Sequence, residues 1–182
     1  IEDGKETAVA ALPFYHIYGQ SVIMLTGATR GGTGIIFPMP DLDAILDAIP
    51  KHGVTLFYGV PTLYKYFVDE PKAKRVNWKK LKYSYCGADR LHKEIRENWM
   101  RLTEKEIYEG YGLTETTAVT HTNPAGRNKP GSLGIPLPGT HAAVVNMENN
   151  EFIPPGETGE VVVRGPQTRK GYWNKPDDNK QR

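Results

Sequence analysis

The sequence predicts an α/β fold in which a mostly parallel sheet is flanked by helices and followed by a small β-rich subdomain. Strand-like segments alternate with helix-like segments at spacings that suit parallel crossover units. Several strand-like segments are continuous apolar runs, as is typical of strands covered on both faces. After about Thr120 the pattern changes, because Gly and Pro become frequent and strands follow one another without helices between them.

The predicted strands are short apolar runs that end at Gly, Pro or polar residues. The first run ends at Pro13, which has no backbone N–H to donate and breaks the strand. In the α/β part we place strands at 7–12, 33–37, 54–58, 83–86 and 106–109. Two further strands, at 141–146 and 160–164, begin the β-rich part.

The predicted helices carry their apolar residues on one face. One helix begins after Asp41, whose carboxylate can cap the first turn. Pro61, which is favoured in a first helical turn, starts another helix that runs to about Asp69. Segments 14–28 and 91–102 are also predicted to be helical. In the helix after Asp41, the apolar residues follow the i, i+3, i+4, i+7 spacing of one buried stripe: Leu42, Ile45, Leu46 and Ile49.

Residues 110–115, Gly-Tyr-Gly-Leu-Thr-Glu, carry the clearest functional signal. We predict that a strand ends here, turns tightly and leads into a helix whose N-terminus favours an anion. Gly110 and Gly112 let the backbone approach a flat ligand closely. Tyr111 can stack on that ligand, and the Thr114 hydroxyl can donate to a phosphate oxygen.

Glu115 is the unexpected member of this stretch, because a carboxylate repels a phosphate. A divalent cation between the two groups removes the conflict, and Mg²⁺ prefers carboxylate and phosphate oxygens. The stretch therefore indicates a nucleoside triphosphate bound with Mg²⁺. An ordinary turn with a Thr cap and a Glu in the first helical turn explains the same residues without a ligand.

Residues 13–19, Pro-Phe-Tyr-His-Ile-Tyr-Gly, follow the first strand. Ligands of open α/β sheets gather at the carboxyl ends of strands, so His16 and the neighbouring aromatic residues can wall an apolar pocket for an acid. The alternative is an aromatic core cluster with a hydrogen-bonded histidine.

Residues 85–89, Tyr-Cys-Gly-Ala-Asp, form a second strand end. Their small side chains would let a ligand lie flat on the backbone. The alternative is a plain connecting loop in which Asp89 caps the next helix.

Composition limits the possible partners. The 23 basic and 21 acidic side chains include no block of five basic residues, so we expect no nucleic-acid binding. No apolar run approaches the roughly 20 residues that a membrane span needs. Cys86 is the single cysteine, which fits a cytoplasmic protein. The histidines lack metal-ligand spacing, and we expect no zinc site.

Together these segments resemble the adenylate-forming enzymes, which include acyl-CoA synthetases, aryl-CoA ligases, luciferases and the adenylation domains of peptide synthetases. The resemblance covers essentially the whole chain. Five segments match in family order: 13–19, 87–91, 111–115, 131–139 and 156–173.

The resemblance implies a role for each matching residue. Thr114, Glu115 and His16 are implied as catalytic residues, with Glu115 holding Mg²⁺. The residues implied to bind the nucleotide are Gly87, Ala88, Gly110, Tyr111, Gly112 and Thr114. Those implied to bind the acid, or to border the channel for coenzyme A, are His16, Tyr18, Cys86, Gly87 and Gly112.

The implied reaction has two steps. A carboxylic acid attacks the α-phosphate of ATP, which gives acyl-AMP and pyrophosphate, and coenzyme A then takes the acyl group. The segment 14–21 contains no Asp or Glu to pair with an ammonium group, which favours a fatty or aryl acid over an amino acid. A non-catalytic nucleotide-binding or scaffold module and an amino-acid-adenylating domain stay as alternatives.

The resemblance also implies a longer parent chain. The phosphate loop of the family would precede Ile1, and the C-terminal domain with its catalytic lysine would follow Arg182. We therefore expect a fragment that is inactive alone, with an α/β subdomain at 1–125 and a partial β-rich subdomain at 126–182.

Overall fold

The computed structural model describes residues 1–180, which form a seven-stranded main sheet and a separate two-stranded sheet. The strand order in the main sheet is β2-β1-β3-β4-β5-β6-β7. Strands β1 to β5 pair in parallel, and β6 and β7 are antiparallel additions. The strands are β1 Thr7–Ala10, β2 Thr33–Ile36, β3 Leu56–Gly59, β4 Tyr83–Cys86, β5 Ile107–Leu113, β6 Ala118–Thr122, β7 Ile135–Pro136, β8 His141–Val145 and β9 Glu160–Arg164. The predicted fold class is confirmed.

Helices connect the parallel strands, as predicted. The helix after Asp41 is confirmed, since the Ala44 amide donates to Asp41 Oδ1 at 3.0 Å. Pro61 lies in the first turn of α3, also as predicted. The α-helices are α1 Thr26–Thr29, α2 Leu42–His52, α3 Pro61–Asp69, α4 Lys93–Thr103 and α5 Pro176–Lys180. A π-helix, Tyr18–Leu25, leads into α1, and 3₁₀ turns occupy Pro71–Arg75 and Thr114–Thr116.

Apolar side chains cover both faces of the sheet, as the continuous apolar strands predicted. On one face the rings of Phe57, Tyr64 and Trp99 pack together beneath α3 and α4. On the other face Ile23 of the π-helix packs with Tyr58 of β3. In the described part of the chain, no helix is long and apolar enough to cross a membrane.

At residues 110–115 the predicted strand end and tight turn are present, but the predicted helix start is wrong. Strand β5 continues through the glycines to Leu113, a single 3₁₀ turn follows, and β6 returns antiparallel to β5. The Leu113 amide donates to the Thr116 hydroxyl at 3.0 Å, and Thr117 ends the turn with a left-handed φ of 51°. The β-branched run that follows favours a strand over a helix. The anion-binding helix N-terminus expected here is therefore absent from this turn.

The predicted boundary after residue 125 does not coincide with the change from the main sheet to the two-stranded sheet, which lies between Pro136 and His141. Strand β7 lies beyond residue 125 and still pairs with β6, while β8 and β9 pair with each other. The division into 1–125 and 126–182 stays a prediction. Gln181 and Arg182, which end the predicted β-rich part, lie outside the described residues.

Candidate functional site

The carboxyl end of β4 lies beside the middle of β5, and both positions carry small residues. A Cβ atom built on Gly87 would lie 3.6 Å from the Gly110 carbonyl oxygen and 3.3 Å from Cε1 of Tyr18. The Tyr18 hydroxyl donates to the Tyr85 carbonyl oxygen at 3.3 Å. Three residues predicted from separate motifs, Tyr18, Gly87 and Gly110, therefore meet at one edge of the sheet.

The two neighbours of Gly87 differ in what they can offer a ligand. The Cys86 side chain is 2% exposed and packs in the core, where burial raises the pKa of its thiol. The contact predicted for Cys86 would therefore run through its backbone. Ala88 takes a left-handed φ of 71°, which a residue with a side chain seldom adopts. Such strain is typical of a loop whose backbone path is functionally constrained. Asp89 does not cap α4, because the N-cap residue is His92.

His16 lies at the start of the π-helix. Its Nδ1 accepts a hydrogen bond from the Tyr18 amide at 3.1 Å, and its side chain is exposed. Phe14 and Tyr18 pack against the core cluster that contains Ile23. Phe14 and Tyr18 thus pack with the core, whereas His16 and the 93% exposed Tyr15 face the surface. The core-cluster interpretation therefore holds for only two of the aromatic residues.

The tip of the β5–β6 hairpin carries the residues predicted to bind nucleotide. The ring of Tyr111 is half-buried and lies 6.1 Å from the ring of His121. Pairing slips beside Tyr111, because Thr120 forms a bulge in β6 and donates to the Tyr111 carbonyl oxygen at 3.2 Å. Bulges near a site re-aim side chains. Thr114, the first residue of the turn, is exposed.

Glu115 lies half-buried on the same tip and is held from the C-terminal part of the chain. The Tyr172 hydroxyl donates to Glu115 Oε1, and the Arg169 amide donates to the Glu115 carbonyl oxygen at 2.8 Å. The Arg169 guanidinium lies 3.2 Å above the centroid of the Tyr172 ring. Glu115 therefore lies near the strand end, in contact with an aromatic hydroxyl.

The donor set around Glu115 fits Mg²⁺ better than zinc. In residues 1–180 no group of three or more His, Cys, Asp and Glu side chains could hold a metal ion. Mg²⁺ is commonly held by one or two carboxylates together with substrate phosphates, whereas structural zinc needs four protein ligands. A single carboxylate at an exposed tip therefore suits a cation that arrives with a nucleotide.

Sequence reasoning missed Tyr172 and Arg169 as site residues. Tyr172 lies in the segment 156–173 that resembles the adenylate-forming enzymes, but it is 57 residues from Glu115 in the chain. The residues around Tyr172 carry no local pattern that indicates its contact with the β5–β6 hairpin. A contact over such a separation is set by the path of the chain after β9.

Two clefts lie elsewhere on the molecule. One, of about 360 Å³, lies between α4 and the loop at 128–130, and its lining includes Arg96, Arg101 and Asn128. The other is small, about 40 Å³, and lies beside Glu6 and Tyr58. The predicted site residues line neither of these two clefts.

Known protein families and structures match nearly the whole chain. The model of the AMP-binding enzyme family matches residues 2–173. The long-chain-fatty-acid–CoA ligase of Bacillus subtilis is 38% identical over 98% of this chain, which covers 32% of that protein. The feruloyl-CoA synthase of an Amycolatopsis species is 30% identical over 94% of this chain, which covers 35% of that protein. The chain thus spans about a third of the length of these relatives.

Solved structures share the fold. ATP-bound MatB from Rhodopseudomonas palustris superposes with a TM-score of 0.91 at 31% identity, over 98% of this chain and 35% of that one. A benzoate CoA ligase from Burkholderia xenovorans gives a TM-score of 0.87 at 27% identity, over 98% of this chain and 37% of that one. The family match covers nearly all of the sequence, and the chain therefore belongs to the AMP-binding enzyme family.

Proposed function

We propose that this chain is part of an ATP-dependent acyl-CoA ligase, which activates a carboxylic acid as acyl-AMP and transfers it to coenzyme A. The observation that carries the proposal is the hairpin tip, where Tyr111, Thr114 and Glu115 follow one another at the end of β5. The names of the relatives, long-chain-fatty-acid–CoA ligase and feruloyl-CoA synthase, support a fatty or aryl acid as substrate.

The proposed roles follow from the chemistry of each side chain. Tyr111 stacks on the adenine, and the exposed Thr114 hydroxyl donates to a phosphate oxygen. Gly112 lets β6 pack closely on β5, and the backbone of Gly110 and Gly112 is proposed to line the nucleotide site. Glu115 would hold Mg²⁺, which when bound neutralises charge on the phosphates.

The acid is proposed to bind where β4 ends beside Gly110 of β5. Gly87 and Ala88 offer backbone beside the Tyr18 ring, and Cys86 contributes its backbone. His16, exposed at the mouth of this region, borders the acid carboxylate and the approach of coenzyme A. Burial raises the pKa of Tyr18 well above its ordinary value, so its hydroxyl stays neutral and keeps its hydrogen bond to Tyr85.

The proposal extends to the full-length protein, its domains and its location. The active protein is longer than this chain and adds a phosphate loop and a C-terminal domain, and the chain alone is inactive. The α/β and β-rich parts divide near residue 125. The protein is cytoplasmic, in keeping with a sequence that has a single cysteine.

The test is pyrophosphate release by the full-length protein across a panel of fatty, aryl and amino acids, with and without Mg²⁺. We expect release that needs a fatty or aryl acid together with ATP. Glu115→Gln should lower the rate by about 10²-fold or more, because it removes the charge that holds the cation. Glu148→Gln, an exposed change between β8 and β9, is the matched control.

The alternatives predict different results. An amino-acid-adenylating domain would release pyrophosphate with an amino acid and not with the other acids. A scaffold module would bind ATP without releasing pyrophosphate. Unchanged activity and unchanged Mg²⁺ dependence in Glu115→Gln would reject the role of Glu115.

A further inference from the structure

We infer that Tyr172 is a positioning residue for Glu115, whose carboxylate it orients toward the nucleotide-bound cation. The inference deepens the proposed function and rests on it. It adds to the site a residue from the segment after β9, which sequence reasoning did not include. The hydrogen bond from the Tyr172 hydroxyl to Glu115 Oε1 is its starting point.

Tyr172 is held through both its backbone and its ring. Its amide donates to Asn179 Oδ1 at 2.7 Å, and Asn179 Nδ2 donates to its carbonyl oxygen at 3.0 Å. The Arg169 guanidinium covers one face of its ring at 3.2 Å from the centroid and also bonds Asn179 Oδ1 at 3.3 Å. A ring held by backbone bonds and by cation–π stacking gives its hydroxyl a fixed position.

The segment that carries Tyr172 is docked on the hairpin by bonds that do not involve this hydroxyl. The Arg169 amide donates to the Glu115 carbonyl oxygen at 2.8 Å. The Thr117 hydroxyl donates to the Gln167 carbonyl oxygen at 2.9 Å. Loss of the Tyr172 hydroxyl alone should therefore leave the segment in place. Its effect would then report on the orientation of the Glu115 carboxylate and not on docking of the segment.

The hydroxyl acts on the carboxylate in a defined way. A hydrogen bond to one oxygen limits rotation of the Glu115 side chain. A cation ligand that is already oriented loses less conformational freedom on binding. Removal of the hydroxyl should weaken cation binding more than it changes the rest of the site.

The experiment is a Mg²⁺ titration of pyrophosphate release by the full-length protein at fixed, saturating acid and ATP. Tyr172→Phe removes the hydroxyl and keeps the ring over which Arg169 stacks. We expect the half-saturating Mg²⁺ concentration to rise about 10-fold or more. The maximal rate at high Mg²⁺, the KM for the acid and the thermal unfolding midpoint should stay close to wild type. Tyr66→Phe, a half-exposed tyrosine on α3, is the matched control.

Arg169→Met is the second variant, because it keeps the hydroxyl and removes the stacked cation. Its half-saturating Mg²⁺ concentration should also rise, by a smaller factor. If Tyr172→Phe does not fold, this variant tests the positioning role of Tyr172. An unchanged Mg²⁺ requirement in a folded Tyr172→Phe, or a uniform loss of rate at every Mg²⁺ concentration, overturns the inference. If Glu115→Gln also leaves the Mg²⁺ dependence unchanged, the proposed function of Glu115 fails, whereas an effect in Glu115→Gln alone rejects only the role of Tyr172.

Discussion

Gly112 packs against the backbone of Ala118 so closely that a Cβ atom built on Gly112 would lie 1.4 Å from the Ala118 carbonyl oxygen. No rearrangement of side chains can relieve this overlap, because the clashing atoms belong to the backbone. The two strands of the hairpin that carries Tyr111 and Glu115 can approach each other in this way only if residue 112 lacks a side chain.

Gly112→Ala should therefore force β5 and β6 apart. We expect a loss of about 2 kcal/mol or more in the free energy of unfolding, and weaker ATP binding, because the hairpin tip moves with the strands. Urea denaturation and calorimetry of ATP binding would measure the two effects. Gly27→Ala in α1 is the control, since a Cβ there meets nothing within 4 Å. Equal stability of the two variants would contradict the packing described for Gly112.

The elements that the sequence predicted well have local causes. Asp41 and Pro61 mark helix starts through their own chemistry, and the apolar stripe from Leu42 to Ile49 specifies a buried helix face. The parallel order follows from strands that alternate with helices. Such signals lie within a few residues of the element that they specify, and they can be read without knowledge of the rest of the chain.

The parts that the sequence did not predict depend on contacts between distant segments. The sequence at 114–116 predicts a helix start, but antiparallel pairing of β5 with β6 makes it the turn of a hairpin, and that pairing requires a glycine at 112 beside Ala118. The contact between Glu115 and Tyr172 depends on how the chain returns after β9. The bulge at Thr120 arises from pairing between β5 and β6. No local sequence pattern predicts that pairing.

Ser84→Ala should destabilise the protein through its effect on Trp99. Both residues are 0% exposed, and Trp99 Nε1 donates to Ser84 Oγ at 3.2 Å. Without this acceptor the indole N–H is buried and unsatisfied, which costs about 1–3 kcal/mol. Urea denaturation would measure the loss. Ser21→Ala is the matched control, because the Ser21 hydroxyl is buried without a hydrogen-bond partner among the described residues and its removal should be neutral or slightly stabilising.

Gly87→Ala tests the acid-binding region. The added Cβ would lie 3.3 Å from Tyr18 Cε1, so the ring must move by a few tenths of an ångström. We expect a change in stability below about 1 kcal/mol. Under the proposed function, the KM for the acid should rise about 3- to 10-fold, because the added methyl group narrows the proposed acid pocket at the end of β4. The KM for ATP should change less. Steady-state kinetics would measure both constants, and Gly34→Ala on the edge strand β2, where a Cβ meets nothing within 4 Å, is the control. A larger effect on ATP than on the acid would place Gly87 on the nucleotide side instead.

Glu6 should make the stability of the protein depend on pH. Burial opposes the charge of its carboxylate, but the nearby Thr55 hydroxyl and the hydrogen bonds from the Glu2 amide and Lys82 outweigh burial and lower the pKa of Glu6 to about 2. Lys82 Nζ lies 3.0 Å from Glu6 Oε1. A carboxyl group with a lowered folded-state pKa stabilises the protein above its unfolded-state pKa of about 4.3. That contribution is lost as the pH falls through the folded-state value.

Glu6→Gln should therefore be less stable than wild type at pH 7, by at most about 3 kcal/mol, since one pKa unit corresponds to about 1.4 kcal/mol. The difference should shrink as the pH falls from about 5 toward 2. Unfolding midpoints of both proteins across this pH range would measure it, with the exposed Glu157→Gln as the control. A difference that stayed constant down to the lowest pH would show that Glu6 contributes through packing of its side chain, and the ion pair with Lys82 would then carry no net stabilisation.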